Sequence, residues 1–485
     1  MAPIVPSFLT ATTVLVPAVP PRCHKKGTPP YIVEQIYQEL EFARNNAPIE
    51  VLDLILDNLD GDPVELRTCS LTCHAWVHIC RQRLFQSVDL RCTKTHCDGF
   101  LRVLQSSAST GAPIADYVRE LTLWGDNNPD YRHYSLARLI CRYIGFRILA
   151  RLSGTSEPMG QSRLGPSIRV TLGRILKRLH RTQLLRLRNF DWCDIAPFTF
   201  RGQASASSRA LVDLFAAIPA VSSLDIFCAI FLSPSELLQL LAAFPGLSTL
   251  TLQHIRWHPD VDLSHRPDSA ALCHSSVGVR RIEKLSLDAD IKMLPSFVEG
   301  LLNPPFAPAV REMSIDSCPR SAENLTTTML LSRMRSTLEV LHVNYFPSQD
   351  IQSELDCSQH HKLRIVTLSY VFGSSRSVRA ICPYLPQFLQ SLPKSIQQLQ
   401  LRFEMHGLDS TDPIVFLDFT DWDALDRALA ELHERLTALR TTIDVRIMLD
   451  GRGIDIRPEV VRPVIDRLPR SLRGGAQIYL LGSCE

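Results

Sequence analysis

Nowhere in the 485 residues does an apolar run reach the roughly 18–20 positions that a helix needs to cross a bilayer. That excludes an ordinary membrane-spanning helix. No charge of one sign is in excess, because 52 Lys and Arg against 50 Asp and Glu leave a net +2. Such balance gives no reason to expect a nucleic-acid or anionic-membrane surface. With 21 Gly and 32 Pro the chain is too poor in both to be a low-complexity polymer. The patterns G-x-x-x-x-G-K-[ST], G-x-G-x-x-G and G-x-S-x-G are missing, and no spacing of acids, bases and nucleophiles singles out a catalytic set. The expectation is no enzyme and no cofactor.

Tightly spaced cysteine pairs are missing too. The 14 cysteines are scattered, and many lie in apolar runs, as Cys228 does within Asp225–Ile230. They read as reduced core thiols, which fits an intracellular chain, cytoplasmic or nuclear. Cys69, Cys73, His74, His78 and Cys80 lie close together but lack the C-x2-C spacing of a zinc knuckle, so no metal is expected. His360-His361 has no ligand set near it and reads as a solvated loop.

What is present is 45% apolar residues, enough for a large core. Residues 1–30 read as a disordered lead-in. Met1–Pro21 carries five prolines and no basic n-region, unlike a signal peptide. Residues 31–46 form an amphipathic helix with Ile32, Ile36 and Leu40 on one face, and Phe42 near it. Residues 47–90 carry compact helical signal. Leu52, Ile55, Leu56 and Leu59 recur at helical spacing, and Asp60-Gly61-Asp62-Pro63 stops that helix. Asp62 and Pro63 then suit the cap and first position of the next. Leu66, Cys69, Leu71, Cys73, Trp76 and Ile79 supply apolar contacts for two further short helices, closed by Leu84 and Phe85.

From residue 91 to 485 the pattern is a recurring strand of the form L-x-L. It occurs at 121–123, 185–187, 224–226, 250–252, 285–287, 313–315, 341–343, 366–368, 399–401, 445–447 and 478–480. Eight of these eleven triplets have an apolar residue three positions earlier: Val118, Val221, Leu247, Ile282, Val310, Leu338, Leu363 and Ile396. The resulting L-x-x-L-x-L is the strand half of a leucine-rich repeat. Helical stretches fill several gaps: 208–218, 235–244 and, most clearly, 421–440. The last has Trp422, Leu425, Leu429, Leu432, Leu436 and Leu439 on one face and Asp423, Asp426, Arg427, Glu431 and Glu434 on the other. A stripe of this kind packs on the sheet, although a coiled-coil partner would suit it as well.

Alternating strand and helix with short L-x-L strands predicts an α/β fold of parallel strands stacked as a solenoid. The array is irregular. Successive triplets start 25 residues apart at the least (341 to 366) and 64 at the most (121 to 185). The Asn or Cys usual three residues past the last apolar position is mostly replaced; Cys318 keeps it.

The order Pro48, Glu50, Leu52, Ile55, Leu56, Leu59, Leu66, Leu71, Cys73 and Trp76 resembles an F-box, with Ala47 where the family has Leu and His74 where it has a basic residue. The whole chain resembles the fungal-type F-box/leucine-rich-repeat-like proteins. The resemblance implies a three-helix F-box followed by the irregular solenoid. It implies the substrate receptor of an SCF-type (Skp–cullin–F-box) ubiquitin ligase. In the family, Pro48, Glu50, Leu52, Ile55, Leu56, Leu71, Cys73 and Trp76 would form or support the surface that binds a Skp-type adaptor, and through it a cullin. Each could equally fill the three-helix core. A scaffold that does not direct ubiquitination, and an enzyme using a pocket in the C-terminal region, stay open as alternatives.

The substrate would lie on the exposed strand residues, the x of each triplet and the residue after it. Those are Thr122 and Trp124, Arg186 and Arg188, Asp225 and Phe227, Thr251 and Gln253, Ser286 and Asp288, and Ser314 and Asp316. His342 and Asn344, Thr367 and Ser369, Gln400 and Arg402, and Arg446 and Met448 continue the face. Trp124, Phe227 and Met448 are the apolar contact candidates, Arg186 and Arg188 the basic ones, and Asp288 and Asp316 the acidic ones.

Overall fold

The structure is a computed structural model that describes residues 63–72, 74–109, 113–125, 166–190, 212–231, 233–257, 281–288, 295–303, 306, 309–316, 324–344, 356–372, 385–405, 421–439, 443–451 and 465–482. The expected lead-in (1–30), the helix at 31–46 and the first F-box-like helix lie outside these residues. The chain divides into two compact units, Met1–Arg186 and Leu187–Glu485.

In the first unit, helix α1 (Pro63–Thr72) begins at a proline, whose fixed φ suits a first helical position. Helix α2 (His74–Gln86) packs on it. Leu66, Ile79 and Cys80 are buried together, with Cys69 and Leu84 against them. Strand β1 (Ser87–Arg91) follows at once. Its Val88-Asp89-Leu90 has the apolar-x-apolar form, so residues 87–90 are strand and not part of the helical segment that the sequence reading extended to Leu90. Helix α3 (Lys94–Ala108) starts at Thr93, whose Oγ1 accepts the His96 backbone N–H at 3.4 Å. A 3-10 turn (Ile114–Asp116) leads to β2 (Glu120–Trp124), parallel to β1 with Leu121 beside Val88. Helix α4 (Pro166–Leu176) is tied to α3 where Thr171 Oγ1 donates to Asp98 at 3.0 Å. Strand β3 (Leu184–Arg188) runs across the boundary between the units.

The second unit contains β4 (Ser223–Phe227), β5 (Ile230–Phe231), α5 (Pro234–Ala242), β6 (Thr249–Gln253), β7 (Arg256–Trp257), β8 (Lys284–Asp288), α6 (Pro295–Leu302), β9 (Glu312–Asp316) and α7 (Asn324–Arg333). It continues with β10 (Val340–Asn344), β11 (Ile365–Phe372), α8 (Leu385–Ser391), β12 (Gln398–Met405), α9 (Trp422–Thr437), β13 (Asp444–Gly451), α10 (Pro469–Arg473) and β14 (Gln477–Gly482). Its large sheet takes β4, β6 and β8 to β14 in chain order, every described pairing parallel. All eleven L-x-L triplets lie in strands. From β4 to β13 they also stack triplet on triplet: Leu224, Leu250, Leu285, Met313, Leu341, Val366, Leu399 and Val445 are successive partners. Only β14 is offset, by two residues, so that Ile478 meets Ile447. A shift of two keeps every side chain on its own face.

The eight apolar residues three positions before a triplet are all buried. Between that residue and the strand, the chain makes one repeated bond. The carbonyls of Ser222, Ser248, Glu283, Arg311, Glu339 and Arg364 each accept two successive backbone N–H groups from the start of the next strand, at 2.7–3.1 Å. In the first unit the Arg119 carbonyl does the same for Gln183 and Leu184. The acceptor is always the residue two before the triplet; ahead of β13 the equivalent Gln397 carbonyl accepts one N–H, from Asp444, at 2.9 Å.

In the repeat of β3 the apolar position is taken by Thr182, wholly buried, with its Oγ1 unbonded among the described residues. Thr182→Val keeps the shape and removes the stranded hydroxyl. It is expected to raise stability by about 1 kcal/mol, read as a higher urea midpoint at unchanged slope.

Asn189, Cys228 and His254 each stand one residue past a strand and have φ of 55°, 55° and 52°. This left-handed turn suits Asn and His among the non-glycine residues and is uncommon for Cys. It lays Ile230 and Phe231 parallel to Arg256 and Trp257 as the small sheet of β5 and β7. Cys228 is accordingly half-exposed at a turn and is not the core thiol its apolar neighbours implied. The other described thiols fit the expectation better. Cys357 is buried, which pushes its pKa up to about 12, and Cys97 is raised by burial to about 11.

Helix α9 buries Trp422, Leu425, Leu429, Leu432 and Leu436, whereas Leu439, past its end, is exposed. The stripe is used within the unit, so no apolar face is left for a coiled-coil partner. Asp426, placed on the polar face by the sequence pattern, is buried. His360 is also buried, contrary to the solvated loop expected; His361 beside it is exposed.

The His360 Nε2–H donates to the Leu331 carbonyl at 3.0 Å. Burial holds its pKa below the usual histidine value, with the backbone bonds opposing in part. The folded value is therefore below the unfolded one. As pH falls through the ordinary value of about 6.5, the unfolded chain binds a proton that the folded chain refuses, and stability is lost. His360→Gln retains an N–H donor without the titration. Its unfolding free energy from urea titration is expected to lie below the wild type near neutral pH by about 1 kcal/mol, and the gap to narrow as the pH is lowered towards about 5. A gap independent of pH would show that His360 takes up its proton equally in both states. Among the described residues no helix is long and apolar enough to cross a membrane.

Candidate functional site

The strands alternate buried and half-buried residues, as β3, β4, β6 and β10 show. Triplet leucines face the core, and the x residue with the residues just before and just after the triplet forms three rows on the other side. Arg186, Arg188, Asp225 and Phe227 stand in these rows half-buried, as expected. Thr122, Thr367 and Ser369 stand in the same rows but are buried.

The charges in the rows are paired, three times across neighbouring strands and once within a strand. In the first unit Arg186 Nη1 lies 2.8 Å from Glu120 Oε2. In the second, Arg188 pairs with Asp225, the two side chains each 20% exposed, and its guanidinium sits 5.1 Å over the Phe227 ring. Phe227 in turn meets the His254 ring edge-on at 5.2 Å. Lys284 Nζ contacts Glu312 at 2.7 Å, and Arg446 contacts Asp444 at 2.7 Å. The two arginines chosen as substrate contacts are thus already neutralised, and Arg188 is packed as well as paired. Arg186–Glu120, Arg188–Asp225 and Lys284–Glu312 are opposite charges one strand apart, while Arg446 and Asp444 pair along β13.

Asp288 and Asp316 are brought side by side by the pairing of β8 with β9, and Asn344 lies beside Asp316 on the next strand. Met448 lies beside Arg402 and Tyr479 in register. The side chains of Asp288, Asp316 and Met448 are outside the described residues. Trp124 is half-buried at the end of β2, where its carbonyl accepts the Cys92 N–H at 2.8 Å. His342 lies between Ser314 and Thr367 on the face, its pKa lowered chiefly by burial, with Glu312 opposing and Lys284 adding to the shift.

The residues expected at an adaptor surface fall mostly elsewhere. Pro48, Glu50, Leu52, Ile55, Leu56 and Cys73 lie outside the described residues, as do the side chains of Leu71 and Trp76. Of the cysteine–histidine group, Cys69 and Cys80 belong to the α1–α2 core, and His78 Nδ1 is 2.6 Å from the Tyr117 hydroxyl.

Sequence reasoning missed the left-handed turn row of Asn189, Cys228 and His254, having looked for its polar residue one position later. The signal was there in Asn189, the residue type that most readily takes positive φ after glycine. No protein-family model matches the chain, and no curated protein does.

Proposed function

We propose that this chain is the substrate receptor of an SCF-type ubiquitin ligase. In this reading the helical segment 47–86 is an F-box that docks a Skp-type adaptor and, through it, a cullin. Residues 87–485, beginning with β1, are an irregular leucine-rich-repeat-like solenoid that holds a protein substrate. The chain performs no chemistry of its own. It raises the effective concentration of a substrate lysine near the charged ubiquitin carrier.

The observation that carries the reading is the F-box-like order from Pro48 to Trp76, set immediately before strands that stack in chain order. The doubled bond ahead of β3, β6 and β8 to β12 supports a repeat array, since it recurs at one position of the L-x-x-L-x-L unit. The pairing of Arg186 and Arg188 with neighbouring carboxylates shifts the weight of substrate contact to the aromatic residues. Phe227 is the better candidate of the second unit, because a half-buried ring beside a guanidinium offers both an apolar and a cation-backed surface.

The test is copurification of a Skp-type adaptor. Deleting Pro48–Phe85 should abolish it. Leu52→Asp combined with Ile55→Asp puts two charges into an apolar contact and should weaken binding by several kcal/mol, roughly a hundredfold or more. Undiminished adaptor binding by the folded double variant would remove the proposal.

A further inference from the structure

The first unit carries a pocket of about 440 Å³ that the reading above does not use. It lies between the C-terminal half of α2, the 3-10 turn and the residues leading into β2 and β3. Helix α2 contributes His78, Gln82 and Gln86 one turn apart, while Tyr117, Arg119 and Gln183 line the strand side. The wall is braced where His78 Nδ1 meets the Tyr117 hydroxyl at 2.6 Å, with the rings 5.2 Å apart.

The lining carries Arg119 and Arg181 against Asp116 and Glu120, and both carboxylates find a cation other than Arg119. The Glu120 carboxylate is met by Arg186 at 2.8 Å. Asp116 is met by Arg181 at 3.9 Å and by His180 at 3.8 Å. Arg119 is different. Its Nη1 donates to the Asp116 backbone carbonyl at 3.0 Å, and among the described residues no carboxylate pairs with it. A half-buried guanidinium held by one neutral bond keeps most of its five donors for a ligand. A planar carboxylate suits that fork.

The two glutamines of α2, Gln82 and Gln86, narrow the class of ligand. Each carboxamide offers a donor and an acceptor together, the complement of a peptide group. An all-acceptor anion such as inorganic phosphate would leave the glutamine carbonyls unmatched. The volume is at the small end for a ligand site, enough for a short stretch of chain.

We propose that this pocket binds an acidic peptide segment, with a carboxylate held by Arg119 and peptide groups held by Gln82 and Gln86. The proposal holds whether or not the chain joins a ligase, since it rests on none of the adaptor residues.

Random-peptide phage display against the full chain tests it. One library displays peptides with no free C-terminus and the other with a free C-terminal carboxylate. Asp or Glu enriched at a fixed position of the first library identifies a side-chain carboxylate. Enrichment confined to the second identifies a terminal one. Either result supports the proposal if Arg119→Gln lowers recovery of the selected phage about tenfold, the scale of one charge-assisted contact. Gln82→Glu, on the exposed face of α2, should lower it similarly by repulsion while leaving the core untouched. Selection with no acidic or carboxylate-terminal preference overturns the proposal. So does recovery that neither substitution changes while both variants keep the wild-type urea midpoint.

Discussion

Asp426→Ala should be among the most damaging single substitutions in the second unit, costing about 3 kcal/mol or more. Asp426 is buried on α9, and its carboxylate takes three bonds from the short helix α10. Oδ2 accepts the Arg470 N–H at 3.1 Å; Oδ1 accepts the Ser471 N–H at 2.8 Å and the Ser471 hydroxyl at 2.7 Å. These N–H groups belong to the first turn of α10, which has no side-chain cap from its own N-terminal residue, Leu468. Asp426 therefore serves as a cap from a distant part of the chain, and its charge faces the positive end of the helix. Alanine leaves buried donors without an acceptor. Ser471→Ala removes one bond of the set and should cost about 1 kcal/mol. Urea denaturation of both variants and of the double variant checks the assignment, because the two changes share a bond and their effects should not add. Strict additivity would mean that the carboxylate and the hydroxyl act separately. Native-state hydrogen exchange should also show β14 opening more readily in Asp426→Ala.

Phe403→Ala should cost about 3–5 kcal/mol, the usual range for a fully buried aromatic residue. Strands β11, β12 and β13 are longer than the others, eight residues each. They extend the inward row by a further position past the triplet: Tyr370, Phe403 and Leu449 are partners there. Phe403 has no exposed surface; it stacks on Tyr370 at 5.5 Å and meets Trp422 of α9 at 5.9 Å. One ring thus joins two strands to the longest described helix of the second unit. Phe403→Leu, which retains most of the volume, should lose much less. The measurement is the denaturant midpoint of each variant at constant slope. Equal losses for Ala and Leu would point to the aromatic contacts instead of the cavity as the main contribution.

The strand array was legible because its signal is local and repeated. A triplet of apolar residues with one polar residue between them has only one way to bury both leucines, and eleven copies reinforce the reading. Val88-Asp89-Leu90 has the same form but escaped, since it follows a helical run and its pairing with β2 comes from a distant segment. Buried polar residues were less readable. Asp426 lies among five polar residues of α9 and differs from the others only because α10 docks there, which no spacing within α9 records. His360 was taken for a loop residue for a similar reason: the Leu331 carbonyl that receives its proton lies 29 positions earlier. The face of the strands was half legible. Alternation correctly assigned Arg186, Arg188, Asp225 and Phe227 to it, but pairing across strands decides whether a charge there is open to a partner. Glu120 and Asp225 had already answered the two arginines.

The doubled bond ahead of β3, β6 and β8 to β12 gives the chain natural cut points. Every such carbonyl belongs to the residue two before a triplet, and it receives the same two positions of the following repeat. The acceptor is always main chain, so the bond places no demand on side-chain identity: Ser248, Glu283, Arg311, Glu339 and Arg364 serve alike. Insertions of any length after a strand leave this junction unchanged, which is how segments so unequal can follow one another in a single sheet. A block running from one such residue to just before the next is therefore an exchangeable cassette. Removing 283–310, for example, would bring Arg311 directly behind Ile282 and present the Ser248 carbonyl with the same pair of amides. Evolution of new surfaces on such a chain can proceed by adding, losing or lengthening cassettes, with the sheet acting as the common spine.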